Sequence, residues 1–500
     1  MAAALALALG WFWLRQRQIA SSSGLSSFPL DDPWIHLQFA RNLAEGHGFA
    51  YNPGVPVGGS TAPLWTLVLA AAFAAFGSQP VLAKALGALA VLGASVLARQ
   101  LAWRWTQHRA VALIAGLATA TTGPLVWGAL SGMEVALAAL LVTGALAAYA
   151  AGRDATAALL LAVSALARPE ASLLIPLCWL ARPITWRRTA ITFGAAAACL
   201  TPWALFNLTT TGTPLPATAA AKIEGGLLGF LTGTYEPLST ALLGRPWQFT
   251  VEWVQWLGLA NILLPIAIPL GLWALWRKFG RAALPAAVLI LHPLGMALLA
   301  PFRGPGFQEG RYSIQLLPLA IVVAIAGLYG VMAGPRIRAL AGVLFLAASV
   351  AGLGPAASRY GWAVQNIDAM QVHLGRWVTT HTPPEALIGL NDVGAIAYVS
   401  RREVVDLMGL VTPAIIPYRR AGEIGVLHYL ERACPDYLII FPAWFPTLAA
   451  MSDRFVPIYR VRLDHNTVSG ADEMVVYETK WNRWRPAPTP CAKDGRRTIS

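Results

Sequence analysis

Between residues 62 and 354 the chain is a succession of long, uncharged apolar runs, and no other feature restricts its fold as much. A helix of about 20 apolar residues crosses the ~30 Å hydrocarbon layer of a bilayer. In lipid its backbone N–H and C=O groups must be satisfied within the segment, which only helices and closed barrels achieve. The runs fall near 62–77, 80–101, 110–130, 132–151, 155–167, 170–181, 189–208, 254–276, 282–300, 313–333 and 337–354. Only 12% of residues are charged and 56% are hydrophobic, against about 25% charged in a soluble domain. The pattern predicts a polytopic α-helical membrane protein with about 11 transmembrane helices and additional juxtamembrane helices.

The net charge of +13 does not point to nucleic acid, which would require the basic residues in one soluble patch. They sit instead in short loops: Arg99 to Arg109, Arg153, Arg182 to Arg188, Arg277 to Arg281, and Arg336 with Arg338. Placing these loops in the cytoplasm follows the positive-inside rule and makes the spans alternate from residue 80. It places 131–134, 168–170, 209–253, 301–312 and everything beyond 355 outside. One span is then in excess, so 62–77 is read as a juxtamembrane or re-entrant helix within a first extracytoplasmic loop, 15–79. Residues 1–14 read as a retained anchor that is short for a span, with its start upstream or with Trp11 and Trp13 in the interface. Arg15 and Arg17 then lie outside, against the rule.

The first loop holds two adjacent carboxylates, Asp31 and Asp32, which run into Pro33-Trp34-Ile35-His36. Paired acids beside a membrane are costly to keep and mark a site by default. Asp32 before Pro33, with apolar residues at Ile35, Phe39 and Leu43, also reads as a helix start, so Asp32 has a capping role as its alternative. Runs 155–167 and 170–181 are too short to cross at 1.5 Å per residue. The turn Arg168-Pro169-Glu170 is therefore expected below the outer surface, in a protein-lined cavity. Its Arg and Glu either pair with each other or face a charged ligand. The 209–253 loop carries Lys222, and the 301–312 loop ends in Gly310-Arg311-Tyr312; headgroup contact or snorkelling is the plainer reading of these cations.

From residue 356 the composition changes. Short β-rich runs at 386–390, 396–399, 404–407, 437–441, 457–463 and 474–478 alternate with helical stretches near 360–380 and 421–433. They predict a transmembrane bundle over 1–355, an extracytoplasmic α/β domain over 356–480 and a disordered tail over 481–500. Cys434 and Cys491 could pair outside the cytoplasm, while Cys178 and Cys199 read as small hydrophobes. No Cys/His spacing resembles a zinc site.

Asp31-Asp32-Pro33-Trp34-Ile35 through Asn42, Gly46-His47-Gly48, Tyr51-Asn52-Pro53-Gly54 and Pro63-Leu64-Trp65 together resemble the first extracytoplasmic loop of the GT-C membrane glycosyltransferases. The resemblance is to the bacterial polyprenyl-phosphate-sugar-dependent group that includes the mycobacterial terminal arabinofuranosyltransferase. Ser131-Gly132-Met133-Glu134, Arg168-Pro169-Glu170, the 214–222 loop, Gly310-Arg311-Tyr312, and the Asp392-Val393-Gly394 and Asp406-to-Leu410 stretches extend it over most of the chain, and the short N-terminal run departs from it.

The resemblance implies transfer of a sugar from a polyprenyl-phosphate donor to an envelope glycan or glycolipid, on the outer face of the bacterial inner membrane. It implies inversion at the anomeric carbon. The expected roles are Asp31 as general base with Asp32 orienting the acceptor; Lys222, Arg168 and Arg311 on the donor phosphate; and Glu134, Glu170, His36 and Tyr312 on sugar or acceptor. A divalent metal bridging the two aspartates to the phosphate is an open option without a third ligand. Two alternatives stand beside this reading: a protein O-glycosyltransferase of the same superfamily, and a transporter using intramembrane acids as ion sites.

Overall fold

The computed structural model describes residues 1–481 except 22, 223–224, 234–235 and 300–301. The expected disordered tail lies outside the described residues, apart from its first residue, as does Cys491, the proposed partner of Cys434. Cys434 is disulfide-bonded, and Cys178 and Cys199 are free.

Five helices are long and apolar enough to cross a membrane: Val81–Thr106, Trp186–Thr211, Leu264–Leu299, Ile314–Val331 and Pro335–His381. Arg109–Thr121 and Gly123–Leu130, bent by 50° at the break between them, make a sixth if taken together. Pro63–Phe76, Val135–Ala150, Asp154–Ala167 and Pro169–Leu180 are apolar but only 10–17 residues long. Length and composition thus support up to six spans among the described residues, and the expected count of about eleven is not confirmed. Some apolar runs are interrupted by breaks that composition does not register. The run at 254–276, for example, is cut at Asn261 between the helices Arg245–Ala260 and Leu264–Phe279. There the Asn261 amide donates to the Phe345 carbonyl at 2.9 Å and to Ser349 Oγ at 2.8 Å, while its Oδ1 accepts from the Leu263 N–H at 2.9 Å.

Small residues let the apolar helices approach closely, the main route to packing where lipid is as apolar as the side chains. Gly271 and Gly327 face each other across the crossing of Leu264–Phe279 with Leu317–Val331. A Cβ at either position would collide with the opposite backbone.

The C-terminal part carries a five-stranded sheet. Its strands are β1 (Leu387–Leu390), β2 (Glu403–Asp406), β3 (Tyr437–Ile440), β4 (Phe455–Arg462) and β5 (Glu473–Thr479), in the order β2-β1-β3-β5-β4. β1 is parallel to β2 and β3, with Leu390 opposite Asp406 and Ile439. β5 runs antiparallel to β3 and β4. The run at 396–399, read from sequence as a strand, lies in the helix Ala395–Ser400. A parallel β1–β2 pair needs a crossover rather than a hairpin, and this helix supplies it.

The first loop and the sheet share one hydrophobic core. Ile35, Phe39, Tyr51 and Val57 pack with Ile388, Leu390, Ile396 and Ile439. Polar contacts reinforce it: the Tyr51 hydroxyl donates to the Val393 carbonyl, and Asn52 exchanges two hydrogen bonds with the Val404 backbone at 2.8 and 3.0 Å. Gly394 sits at the tightest point, where a Cβ would strike the Asp31 carbonyl and carboxylate. Gly394→Ala is expected to destabilise the protein by about 1–3 kcal/mol, the usual cost of overpacking, read as a lower thermal midpoint in detergent. An unchanged midpoint would show that the two parts separate freely.

Candidate active site

The helix Asp32–Ala44 begins with Asp32 and Pro33 at its first positions, and Asp31 is its N-cap residue without a side-chain capping bond. The two carboxylates point to different partners. Asp31 turns to the C-terminal part, where Oδ2 accepts from the Gly394 N–H at 2.6 Å and Oδ1 from the Ala395 N–H at 2.7 Å. Asp32 turns into a cavity of about 100 Å³ and pairs there with the Arg311 guanidinium. It is not occupied in capping, and it is Asp32, not Asp31, that lines the cavity.

One turn along the same helix face, His36 also lines the cavity. Its Nε2 lies 3.3 Å from Glu134 Oε2, and its Nδ1 lies 3.3 Å from Ser60 Oγ. Glu134 closes the apolar helix Val135–Ala150 at its N-terminal end, and its Oε1 is 2.9 Å from Arg168 Nε. Arg168 is in extended conformation between the helix Asp154–Ala167 and the turn that follows. This break brings its side chain into the cavity, 5.0 Å from the Tyr312 ring centroid and 3.7 Å from Glu170. Arg311 also donates to the Tyr312 hydroxyl at 3.1 Å. Lys222, at the end of the helix Ala217–Lys222, completes the cation set.

Asp32, His36, Glu134, Arg168, Glu170, Lys222, Arg311 and Tyr312, far apart in sequence, therefore line one cavity. Several polar atoms there are buried with no hydrogen-bond partner among the described residues: Arg168 Nη2, Arg311 Nε, Glu170 Oε2 and Thr218 Oγ1. Buried donors without partners are costly and are expected where a ligand supplies the missing acceptor. Gly59, Thr218 and Leu410 also line the cavity; Thr218 lies in the 214–222 loop and Leu410 ends the Asp406-to-Leu410 stretch, but neither is among the site residues expected from sequence.

The electrostatics separate the two aspartates. Burial raises the Asp32 carboxyl, but Arg311 and then Lys222 outweigh it and hold it below the usual range. Asp31 is pushed well above that range by burial and by Asp392, against two backbone hydrogen bonds. Burial also lifts Asp392, to about 6, although it is hydrogen-bonded by Gln371 and Asp31. The acids considered for a bridging metal thus point apart, and among the described residues no group of three or more His, Cys, Asp or Glu is arranged to hold one.

Folded-state carboxyls raised above their unfolded values contribute stability at low pH and lose it as pH rises through the folded value. The contact between the first loop and the sheet should therefore weaken between about pH 4 and pH 6, the window set by Asp392. The thermal midpoint is expected to be about one to two degrees higher at pH 5 than at pH 7.5. Asp392→Asn should flatten that slope and raise the midpoint at pH 7.5, because its amide can donate to an ionised Asp31. A slope unchanged in Asp392→Asn would remove this pair as its source.

A family model described as a domain of unknown function (DUF8728) matches residues 365–490. No curated protein sequence matches the chain. Among solved structures, ArnT from Cupriavidus metallidurans in the apo state aligns with a TM-score of 0.60 at 14% identity, over 97% of this chain and 98% of that one. The same protein bound to undecaprenyl phosphate gives 0.59 at 14% identity, over 95% and 97%. The Archaeoglobus fulgidus oligosaccharyltransferase AglB, in complex with an inhibitory peptide and a dolichol-phosphate, gives 0.54 at 12% identity, over 94% of this chain and 74% of that one. Mycobacterial AftD overlaps at 0.46 and 15% identity, over 95% and 40%, too loosely to support an inference. At such identities the likeness is one of architecture: the chain has the fold of the GT-C membrane glycosyltransferases.

Proposed function

We propose that the chain is a membrane glycosyltransferase that moves a sugar from a polyprenyl-phosphate donor to a hydroxyl of an envelope glycan or glycolipid, on the outer face of a bacterial inner membrane. One observation carries the reading: a single cavity gathers three cations, Arg168, Lys222 and Arg311, two of which keep unpartnered donors, around Asp32, with Glu134 and Glu170 beside Arg168. The fold's relatives support it, since ArnT binds undecaprenyl phosphate and AglB binds a dolichol-phosphate.

In this mechanism the acceptor hydroxyl gives its proton to Asp32 while its oxygen attacks the anomeric carbon. The bond from that carbon to the phosphate oxygen breaks, and the electron pair leaves with the polyprenyl phosphate. A phosphate leaves as a stable anion, so it needs cations rather than a general acid. Arg311 and Lys222 receive it, and Arg168 holds the opposite wall. A single displacement inverts the anomeric centre. At rest Arg311 neutralises Asp32; once Arg311 turns to the phosphate, Asp32 regains basicity. The base is thus assigned to Asp32 rather than Asp31, because only Asp32 faces the cavity. Glu134 fixes His36 and Arg168, and Glu170 Oε2 remains to accept from a sugar hydroxyl.

The test is transfer from a panel of radiolabelled polyprenyl-phosphate sugars to isolated envelope glycolipids by the purified protein in detergent. Turnover with one donor class is expected. No turnover with any donor, together with ion flux in liposomes, would replace this reading with a transporter.

A further inference from the structure

The cavity is not closed by the bundle alone. Leu410, from the C-terminal part, forms a portion of its wall. The loop that presents it is built by Asp406, fully buried at the end of β2. Asp406 Oδ1 accepts from the Met408 N–H at 2.8 Å, and Oδ2 accepts from the Val411 N–H at 2.9 Å. These bonds hold the turn that leads into Leu410.

Arg419 ties this loop to the cation side of the cavity. Its Nη1 donates to the Met408 carbonyl at 3.1 Å and to the Ala221 carbonyl at 3.3 Å. Ala221 immediately precedes Lys222, so a residue 198 positions away in the chain holds the short helix that carries Lys222. The other end of that helix is tied to the first loop by the Ala217 N–H, 2.9 Å from the Gly58 carbonyl. Lys222 itself makes no ion pair among those described; its ammonium lies 5.5 Å from the Phe302 ring centroid. Its location in the cavity therefore depends on what fixes the backbone beneath it.

We infer that Arg419 is a positioning residue for the phosphate site: through the Ala221 and Met408 carbonyls it sets Lys222 and the Leu410 wall against each other, so the C-terminal part builds the donor pocket. This rests on the reading of the cavity as a polyprenyl-phosphate site. Both backbone acceptors belong to segments that contact the ligand volume, and Arg419 reaches them with one planar, always-charged donor group. A flexible ammonium or a neutral amide at 419 could not hold both carbonyls with the same geometry.

The experiment measures binding of undecaprenyl phosphate to the full-length protein in detergent, with undecaprenol as the phosphate-free control. Arg419→Ala should weaken undecaprenyl phosphate about tenfold, as expected for misplacing a charged ligand group, and leave undecaprenol unchanged. Lys222→Ala should weaken it by at least as much, and the double variant should be no weaker than Lys222→Ala, because Arg419 acts through Lys222. Arg419→Gln, measured alongside, carries the same test if the alanine variant does not fold. Wild-type affinity in both Arg419 variants beside a weakened Lys222→Ala overturns the inference. So do losses that multiply in the double variant, or an equal loss for undecaprenol. Wild-type affinity in Lys222→Ala instead overturns the phosphate reading of the cavity itself.

Discussion

On the proposed function, Asp32→Asn is expected to leave the protein folded and to lower the turnover number by roughly a thousandfold, within the 10²–10⁴ range that a positioned general base supplies. The amide keeps the shape of the carboxyl and still accepts from Arg311, so the cavity persists. It cannot take up the acceptor proton. Binding of undecaprenyl phosphate by this variant should equal or exceed that of wild type, because Arg311 no longer answers to an anion in the protein. That split, lost turnover with retained or improved phosphate affinity, separates a base from a residue that merely shapes the pocket. Asp31→Asn should behave in the opposite way, with activity within about tenfold of wild type and a lower thermal midpoint, since it weakens the two backbone hydrogen bonds to Gly394 and Ala395. An inactive Asp31→Asn beside an active Asp32→Asn would reverse the assignment.

Arg311→Ala is expected to reduce kcat/KM by about 10²–10³, the usual loss when one preorganised charge-stabilising donor is removed from a site. Two effects combine. The leaving phosphate loses a cation, which appears as at least a tenfold loss in undecaprenyl phosphate affinity. Asp32 also loses the partner that holds its carboxyl below the usual range, leaving burial to raise it. The acid limb of the pH–rate profile should consequently move upward in Arg311→Ala. In the wild type, the lowered carboxyl keeps Asp32 ionised through the neutral range. Removing one partner of an enclosed pair is also destabilising, by up to about 3 kcal/mol. The double variant Asp32→Asn/Arg311→Ala should recover part of that stability and none of the activity. A pH–rate profile that does not move in Arg311→Ala would show that Asp32 is not the titrating base.

Glu134, Arg168, Glu170 and Arg311 were legible in the sequence because each lies in or beside an apolar run, where a charge without a purpose is expensive, and Asp32 because it stands next to a second acid. Arg168-Pro169-Glu170 stood out for a second reason, the shortness of the runs on either side. The choice between Asp31 and Asp32 was not legible. Successive residues at a helix start point about 100° apart, so neighbouring acids face different surroundings, and which surroundings these are depends on where residues 391–395 fold back. Arg419 carried no signal, because an arginine is ordinary in a soluble segment. The run at 396–399 misled because β-branched and aromatic residues suit a strand, whereas the parallel pairing of β1 and β2 required a crossover. Asn261, one polar residue at the edge of an apolar stretch, gave no warning that its side chain would break the helix.

The helix Pro335–His381 runs 47 residues without a sharp bend and leads directly into the sheet-bearing part. At about 1.5 Å per residue it spans roughly 70 Å, more than twice the ~30 Å hydrocarbon layer. A rod of that length fixes altitude. A sheet joined to the bundle by so long a continuous helix is expected to keep a set distance from the bilayer rather than swing as a tethered module would. On the proposed function, an acceptor is then expected to present its hydroxyl at one set height above the membrane, and a glycan too short to rise to it, or anchored so as to hold it elsewhere, to be refused by reach alone.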